Sequence, residues 1–320
     1  MTDRKKAYIA AIVYAFIIGL SFMFVKVTLT AASPLDTLAH RFTAAWIGAT
    51  VMLVFNKSRL AIGWKDVLNI LPLALLYPIA FFALQVFGLA NTSSSEAGII
   101  QATVPIFTLL LAALFLKERA SRSQLIFIGL SVLGIVYILV MNGAGTGTGI
   151  GSGTQMGSTL IHMLGNGLIL LSAVAFALYN VFARRLTRLY SLMTLSYVMT
   201  LSGFVAFNGM AIGQHVIQGT LRQYFEPFGH LGFVMAILYL GILSSLVTSY
   251  LSNYTLSKIK ASEMSVFSNV ATLITILAGV LFLQEEFHYY HLVGAAFIIT
   301  GVIGTNFYRV KKETEPLSIK

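Results

Sequence analysis

Apolar stretches long enough to cross a bilayer recur along almost the whole chain, and no other feature restricts its fold so severely. A spanning helix needs roughly 20 mostly apolar residues. Ten such stretches can be marked, at about 7–28, 34–55, 66–90, 95–116, 122–141, 164–183, 191–213, 230–256, 262–283 and 288–308. Of the 320 residues 57% are hydrophobic and only 10% charged, too few charges to wet the surface of a soluble domain of this size. The expected fold class is an all-α integral membrane protein with ten transmembrane helices. The first run follows Arg4, Lys5 and Lys6 but exceeds the roughly 7–15 apolar residues of a signal peptide, so it reads as a helix that is kept. The chain has no cysteine, which excludes disulfides, thiolate metal sites and cysteine nucleophiles.

The net charge of +10 is placed in a way that excludes nucleic acid as a partner. With ten helices and a cytoplasmic N-terminus, all but three of the 21 Lys and Arg residues fall in segments on the cytoplasmic side, as the positive-inside rule requires. Of the three, Arg222 falls in an outer loop, and Lys26 and Arg41 lie within helices. The basic excess therefore faces the inner membrane surface, and no patch remains for DNA or RNA.

The chain also repeats itself. A shift of 167 residues lays Ser95 and Glu96 on Ser262 and Glu263, Thr108 on Thr275, and "LFLKE" (Leu114 to Glu118) on "LFLQE" (Leu281 to Glu285). Earlier segments align at slightly shorter offsets, such as "PLDTLAHRFT" (Pro34 to Thr43) with "SLMTLSYVMT" (Ser191 to Thr200). The unit is five helices. Because five is odd, the second copy enters the membrane inverted, and "KER" (Lys117 to Arg119) becomes "QEE" (Gln284 to Glu286) as the side changes. Inverted repeats are a signature of secondary transporters, whose substrate sites lie near the midplane where the copies meet.

The two repeats, the "LFLKE" and "LFLQE" phrases that end the fourth helix of each, and "HRF" (His40 to Phe42) at the start of the second helix resemble the EamA-type transporters of the drug/metabolite transporter superfamily. The resemblance covers roughly residues 7–308. It implies a ten-helix inverted-repeat carrier with a central cavity that moves amino acids, metabolites or drugs, often outward. The expected domains are a first repeat over 1–141, a Gly-rich extracytoplasmic linker over 142–163, a second repeat over 164–308 and a cytoplasmic tail over 309–320. The linker glycines do not match the G-x-G-x-x-G spacing, so they do not hold a nucleotide.

Candidate cavity residues follow from the helical period. Gln101, Pro105 and Thr108 share one face of the fourth helix, and their repeat partners are Ser268, Thr272 and Thr275, with Asn269 beside them. Such a stripe either lines a pathway or hydrogen-bonds between helices. The third helix offers Tyr77, Phe81 and Gln85 with a break expected at Pro78, and its partner helix offers Ser245, Tyr250 and Asn253. A second break is expected at Pro105. Tyr14, Ser21, Tyr179 and Asn180 are the polar candidates of the first and sixth helices.

Charges inside the apolar spans are the sharper signal, each costing about 2.5–3.5 kcal/mol at a helix centre. Arg41 has no basic counterpart, since the repeat places Val198 there, and is expected to bind a substrate carboxylate or to pair with Asp36. Lys26 sits near the outer end of its helix, where it either snorkels or serves in gating or coupling. Glu96 and Glu263 begin helices, where they either cap or serve in gating or coupling. His288 and His291 have the i, i+3 spacing of metal ligands but read as part of an interfacial aromatic belt, so neither a metal nor another cofactor is expected.

The function expected is export of amino acids or small zwitterionic or anionic metabolites across the cytoplasmic membrane by alternating access, with a small molecule and the lipid bilayer as partners. Drug efflux and metabolite uptake are the alternatives within transport. A membrane enzyme or sensor is the competing class, but no H-E-x-x-H or G-x-S-x-G motif supports the first and no output domain the second. The inverted topology makes a direct prediction. Single cysteines introduced at Arg119 and Glu286 should react with an impermeant thiol reagent from opposite sides of the membrane, and labelling from one side would exclude it.

Overall fold

The computed structural model describes residues 3–55, 63–116, 122–145, 153–186, 189–248 and 261–314, together with 251, 254, 255 and 258. Every regular element among them is helical. In chain order they are α1 (Asp3–Leu29), α2 (Pro34–Phe55), α3 (Trp64–Ala74), α4 (Phe81–Leu89), α5 (Ser94–Gln101), α6 (Val104–Leu116), α7 (Arg122–Gly145), α8 (Gly153–Leu186), α9 (Leu192–Gln218), α10 (Leu231–Leu238), α11 (Ala261–Phe282) and α12 (Tyr289–Thr314). Among the described residues six helical segments are long and apolar enough to cross a bilayer. Leu231–Val247, preceded by Leu221–Gly229 at a bend of 93°, supplies a seventh candidate, and Leu125–Ile138, Val270–Phe282 and Tyr289–Gly304 are shorter apolar helices. The total matches the ten spans read from the sequence. The chain is a multi-pass membrane protein.

Local sequence sets where helices begin and break. Pro34 opens α2, where its missing N–H is no loss, and Ser33 before it accepts from the Asp36 amide at 3.1 Å. Ser191 caps α9 in the same way through Thr194. The third span is interrupted at Tyr77, whose φ of −143° and ψ of 119° are extended, directly before Pro78. In the fourth span α5 ends at Gln101 and α6 begins at Val104, so the interruption falls just ahead of Pro105. Both expected breaks are therefore present. Two boundaries differ from expectation: α7 continues to Gly145 and α8 starts at Gly153, both inside the stretch read as linker.

The packing follows the repeat. Exchanging each span with its repeat partner maps the main contacts onto one another. The pair α1 with α11 becomes α8 with α6, and α2 with Tyr239–Val247 becomes α9 with α3. The pairs α2 with α9, α5 with α11 and α7 with α12 map onto themselves. At the α7–α12 crossing the correspondence reaches single residues. Gly134 packs against Gly294 and Ile298, and its repeat partner Gly301 packs against Phe127 and Ser131, which are the partners of Gly294 and Ile298. Ser131 also donates to the Ile298 carbonyl at 2.9 Å, a bond between repeat-equivalent residues.

Apolar contact alone gains little between helices in lipid, so close approach through small residues carries this crossing. A Cβ on Gly134 would stand 2.8 Å from the Gly294 carbonyl oxygen, and one on Gly301 2.5 Å from the Phe127 carbonyl oxygen. Gly301→Leu should therefore force the pair apart and destabilise the protein by about 1–3 kcal/mol, the usual cost of overpacking. A melting curve in detergent checks this, and an unchanged transition would show that the crossing is not tight.

Candidate functional site

Near the middle of the bundle, elements from both halves bring a buried cation and a set of aromatic rings together. Arg41 of α2 is only 2% exposed. Its guanidinium carbon lies 4.0 Å from the centroid of the Phe82 ring, and Nη2 reaches the Ser244 hydroxyl at 3.4 Å, a weak bond. Nε has no hydrogen-bond partner, and no carboxylate pairs with Arg41 among the described residues. Arginine stays charged in proteins. A buried charge is normally compensated by an opposite one, and here cation–π contact with Phe82 is the main substitute.

The aromatic rings gather at the Tyr77 interruption. Tyr77 has ring centroids of Phe81, Phe82, Phe176 and Tyr179 within 4.9–5.4 Å, and Phe176 and Tyr179 stack on each other. The Tyr77 hydroxyl is also close enough to interact electrostatically with Arg41, Tyr14 and Tyr179. The break matters here because the extended residue turns the Tyr77 ring out of the regular helical progression, toward α8. Of the sequence candidates, Arg41, Tyr14, Tyr77, Phe81 and Tyr179 thus come together. Ser244, next to the candidate Ser245, joins them, and so do Phe82 and Phe176, which no periodic pattern singled out.

Other candidates have local partners. Gln101 donates to Ser172 of α8 at 2.5 Å, while Thr108, Ser21 and Ser245 bond back to carbonyls of their own segments. Thr275 donates to the Gly19 carbonyl of α1 at 2.8 Å, and Thr272 lies 3.5 Å from the Gly98 carbonyl of α5. The stripe on α11 therefore acts between helices. Gln85 is buried and Asn180 half-buried. Tyr250 and Asn253, and the side chains of Glu263, Ser268 and Asn269, lie outside the described residues.

Two polar clusters occupy one end of the bundle. In the first, Glu96 of α5 takes His291 Nε2 of α12 at 3.0 Å on one oxygen and His162 Nε2 of α8 at 3.0 Å on the other. Thr92 lies 2.6 Å from the second oxygen and also contacts Asn166. Glu96 does not cap its own helix. Ser93 takes the Glu96 amide, and Glu285 accepts from the Ser94 and Ser95 amides at 2.5 and 2.9 Å and from the Ser95 hydroxyl at 2.7 Å. Lys26 lies within electrostatic reach of Glu96, Glu285 and His162. His291 is buried in this cluster, so its reading as an interfacial belt residue is corrected: a carboxylate gives the imidazole a partner away from lipid.

The second cluster corrects the pairing expected for Arg41. Asp36 binds His215 Nε2 of α9 at 3.0 Å and Ser33 at 2.8 Å, facing the bundle end, not Arg41. His40 donates to the Tyr224 carbonyl at 2.9 Å, and the Tyr224 hydroxyl donates to Asn208 at 2.7 Å, fixing Leu221–Gly229 against α2 and α9. His162 and His215 carried no sequence signal, one lying in a Gly-rich stretch and the other at a helix end. Glu285 was visible only as a repeat identity.

The sequence profile described as the EamA-like transporter family matches this chain twice, over residues 5–140 and 163–307. The chain belongs to that family. It is a membrane transporter. A Bacillus subtilis (strain 168) protein named "Uncharacterized transporter YcxC" is 52% identical over 314 residues, covering 98% of this chain and 97% of that protein. An "Uncharacterized transporter" of Archaeoglobus fulgidus is 26% identical over 93% of this chain and 97% of its own length. The "WAT1-related protein At1g44800" of Arabidopsis thaliana is 24% identical over 82% of this chain and 73% of its own. A solved crystal structure, 17% identical, superposes with a TM-score of 0.61 over 95% of this chain and 99% of its own, a likeness in fold.

Removing the Glu285 carboxylate should leave the α5 N-terminus with two amides and a serine hydroxyl unpaired. Glu285→Ala is expected to lower stability by about 1–3 kcal/mol, readable as a lower melting temperature, while Glu286→Ala, an exposed neighbour, should change it little.

Proposed function

We propose that this transporter exports amino acids or other small zwitterionic or anionic metabolites, with Arg41 binding the substrate carboxylate. The observation that carries the reading is the buried Arg41 guanidinium with its unpartnered Nε and, among the described residues, no carboxylate beside it. A planar carboxylate supplies the missing charge and accepts from the guanidinium fork. The side chain of the substrate would lie among Tyr14, Tyr77, Phe81 and Tyr179, with Phe82 and Phe176 completing the enclosure. Within this reading Gln85, Gln101, Thr108 and Asn180 border the path. The repeats 1–141 and 164–308 are inverted relative to each other, both termini face the cytoplasm, and the cavity between the repeats opens to each side of the cytoplasmic membrane in turn.

A second reading, efflux of apolar drugs, is favoured by one specific observation: five aromatic rings converge on the Tyr77 break. The two readings differ at Arg41. Truncating one partner of a buried charge pair costs at least about 2 kcal/mol. Arg41→Ala should therefore insert normally but weaken carboxylate substrates by roughly 30-fold or more. Small molecules in the medium of cells expressing the wild type, Arg41→Ala or neither would be compared. Enrichment of one carboxylate-bearing class by the wild type alone is the expected result. Enrichment that survives Arg41→Ala, or apolar compounds in its place, would overturn the carboxylate assignment in favour of drug efflux, and selective depletion would indicate uptake.

A further inference from the structure

Glu96, His162 and His291 have no counterpart in the substrate group around Arg41. Glu96 is buried and both of its oxygens are engaged by imidazoles from two different helices. The two histidines are not equivalent. His291 Nδ1 accepts from the His288 amide at 3.1 Å, so its proton lies on Nε2, which donates to Glu96. A neutral His291 is thus complete, with a side chain only 5% exposed. Among the described residues nothing locks the His162 tautomer in this way, and its side chain is 36% exposed. Of the three groups it is the one that can exchange a proton with water.

The surrounding charges leave room for that proton. On α5 and just before it stand Glu96 and Thr92, and on α8 His162 and Asn166. The start of α12 contributes His288, Tyr290 and His291, the connection before it Glu285 and Glu286, and α1 Lys26. The α5 N-terminus binds Glu285. Lys26 makes no ion pair within 4.0 Å among the described residues, so it balances the two buried carboxylates only from a distance. A proton on His162 brings the group of Glu96, Glu285, Lys26 and His162 to neutrality and turns the 3.0 Å contact into an ion pair.

We propose that Glu96 and His162, backed by His291, form a proton-binding site that fastens α5, α8 and α12 together at this end of the bundle. Nε2–H already donates to the Glu96 carboxylate; the bond that forms is N–H at His162 Nδ1, its proton taken from water, and the resulting imidazolium turns that hydrogen bond into an ion pair. The orientation under "Proposed function" places this end outside, and on that reading acid outside holds the outer side of the carrier closed. The site itself does not depend on that reading.

The sign follows from which state makes the ion pair. The pair exists only with the proton on His162, so its stabilisation is complete at low pH and is lost as pH rises. Purified full-length protein would be melted in detergent from pH 5 to 8, as wild type, His162→Gln, His162→Arg and, as a control for the Asp36 pair, His215→Gln. The wild type should exceed His162→Gln by roughly 2–4 °C at pH 5.5, and the difference should vanish by pH 8. His162→Arg, always charged, should stay level with the acid wild type across the range. A His162→Gln profile parallel to the wild type would overturn the proposal. So would a slope that disappears only in His215→Gln. The same proteins in liposomes loaded with amino acids would separate the two readings: a pH-dependent melting difference without amino-acid movement leaves the proton site standing and removes the amino-acid export reading.

Discussion

Lipid offers polar groups nothing to bond to, and the arrangement of this chain follows from that constraint. Each hydroxyl, imidazole or carboxylate in a span must find a partner on its own helix or a neighbouring one. Thr275 finds the Gly19 carbonyl, Gln101 finds Ser172, and Asn208 holds both Tyr224 and the Ala39 carbonyl. These bonds register the helices against one another where apolar contact cannot. They also make the exceptions informative. Arg41 is a fully buried charge whose needs the described residues leave partly unmet, and it sits where both halves contribute side chains.

The two polar clusters at one end show a different use of the same constraint. Glu96, Asp36 and Glu285 are carboxylates held at this end, and each is bound by a different device. Glu285 takes helix amides, Asp36 one imidazole and a capping serine, and Glu96 two imidazoles. The partners come from distant parts of the chain, so closing this end draws α2, α5, α8, α9 and α12 together.

The fold was largely legible because its signals are repetitive and one-dimensional. Span length, the side bias of Lys and Arg and the 167-residue offset all survive without tertiary knowledge. Pro78 and Pro105 marked their interruptions because proline acts on the residues just before it. The site was legible only in part. Arg41 stood out because a charge in an apolar span is costly wherever it points. Phe82, by contrast, is one phenylalanine among 23, and only the Tyr77 break and the α8 contact show which rings converge. His162 and Glu285 could not be found by period or spacing, since each acts on a helix of the other repeat. The threonines of α11 had the right period for a pathway, but periodicity shows that residues share a face and not what that face meets.

The Gly134–Gly301 crossing has a consequence for how variation can act on a carrier of the proposed kind. It lies on the axis that exchanges the repeats, and each glycine meets the repeat equivalents of the other's neighbours. If the inward- and outward-facing forms are interconverted by that exchange, the crossing looks alike in both. A substitution there would then burden the two forms equally and leave the balance between them untouched, altering how much carrier a cell holds and how fast it turns over. Residues off the axis, such as Glu96 and Arg41, have no such neutrality. Inherited change at the axis should therefore tune capacity, and change away from it direction and preference.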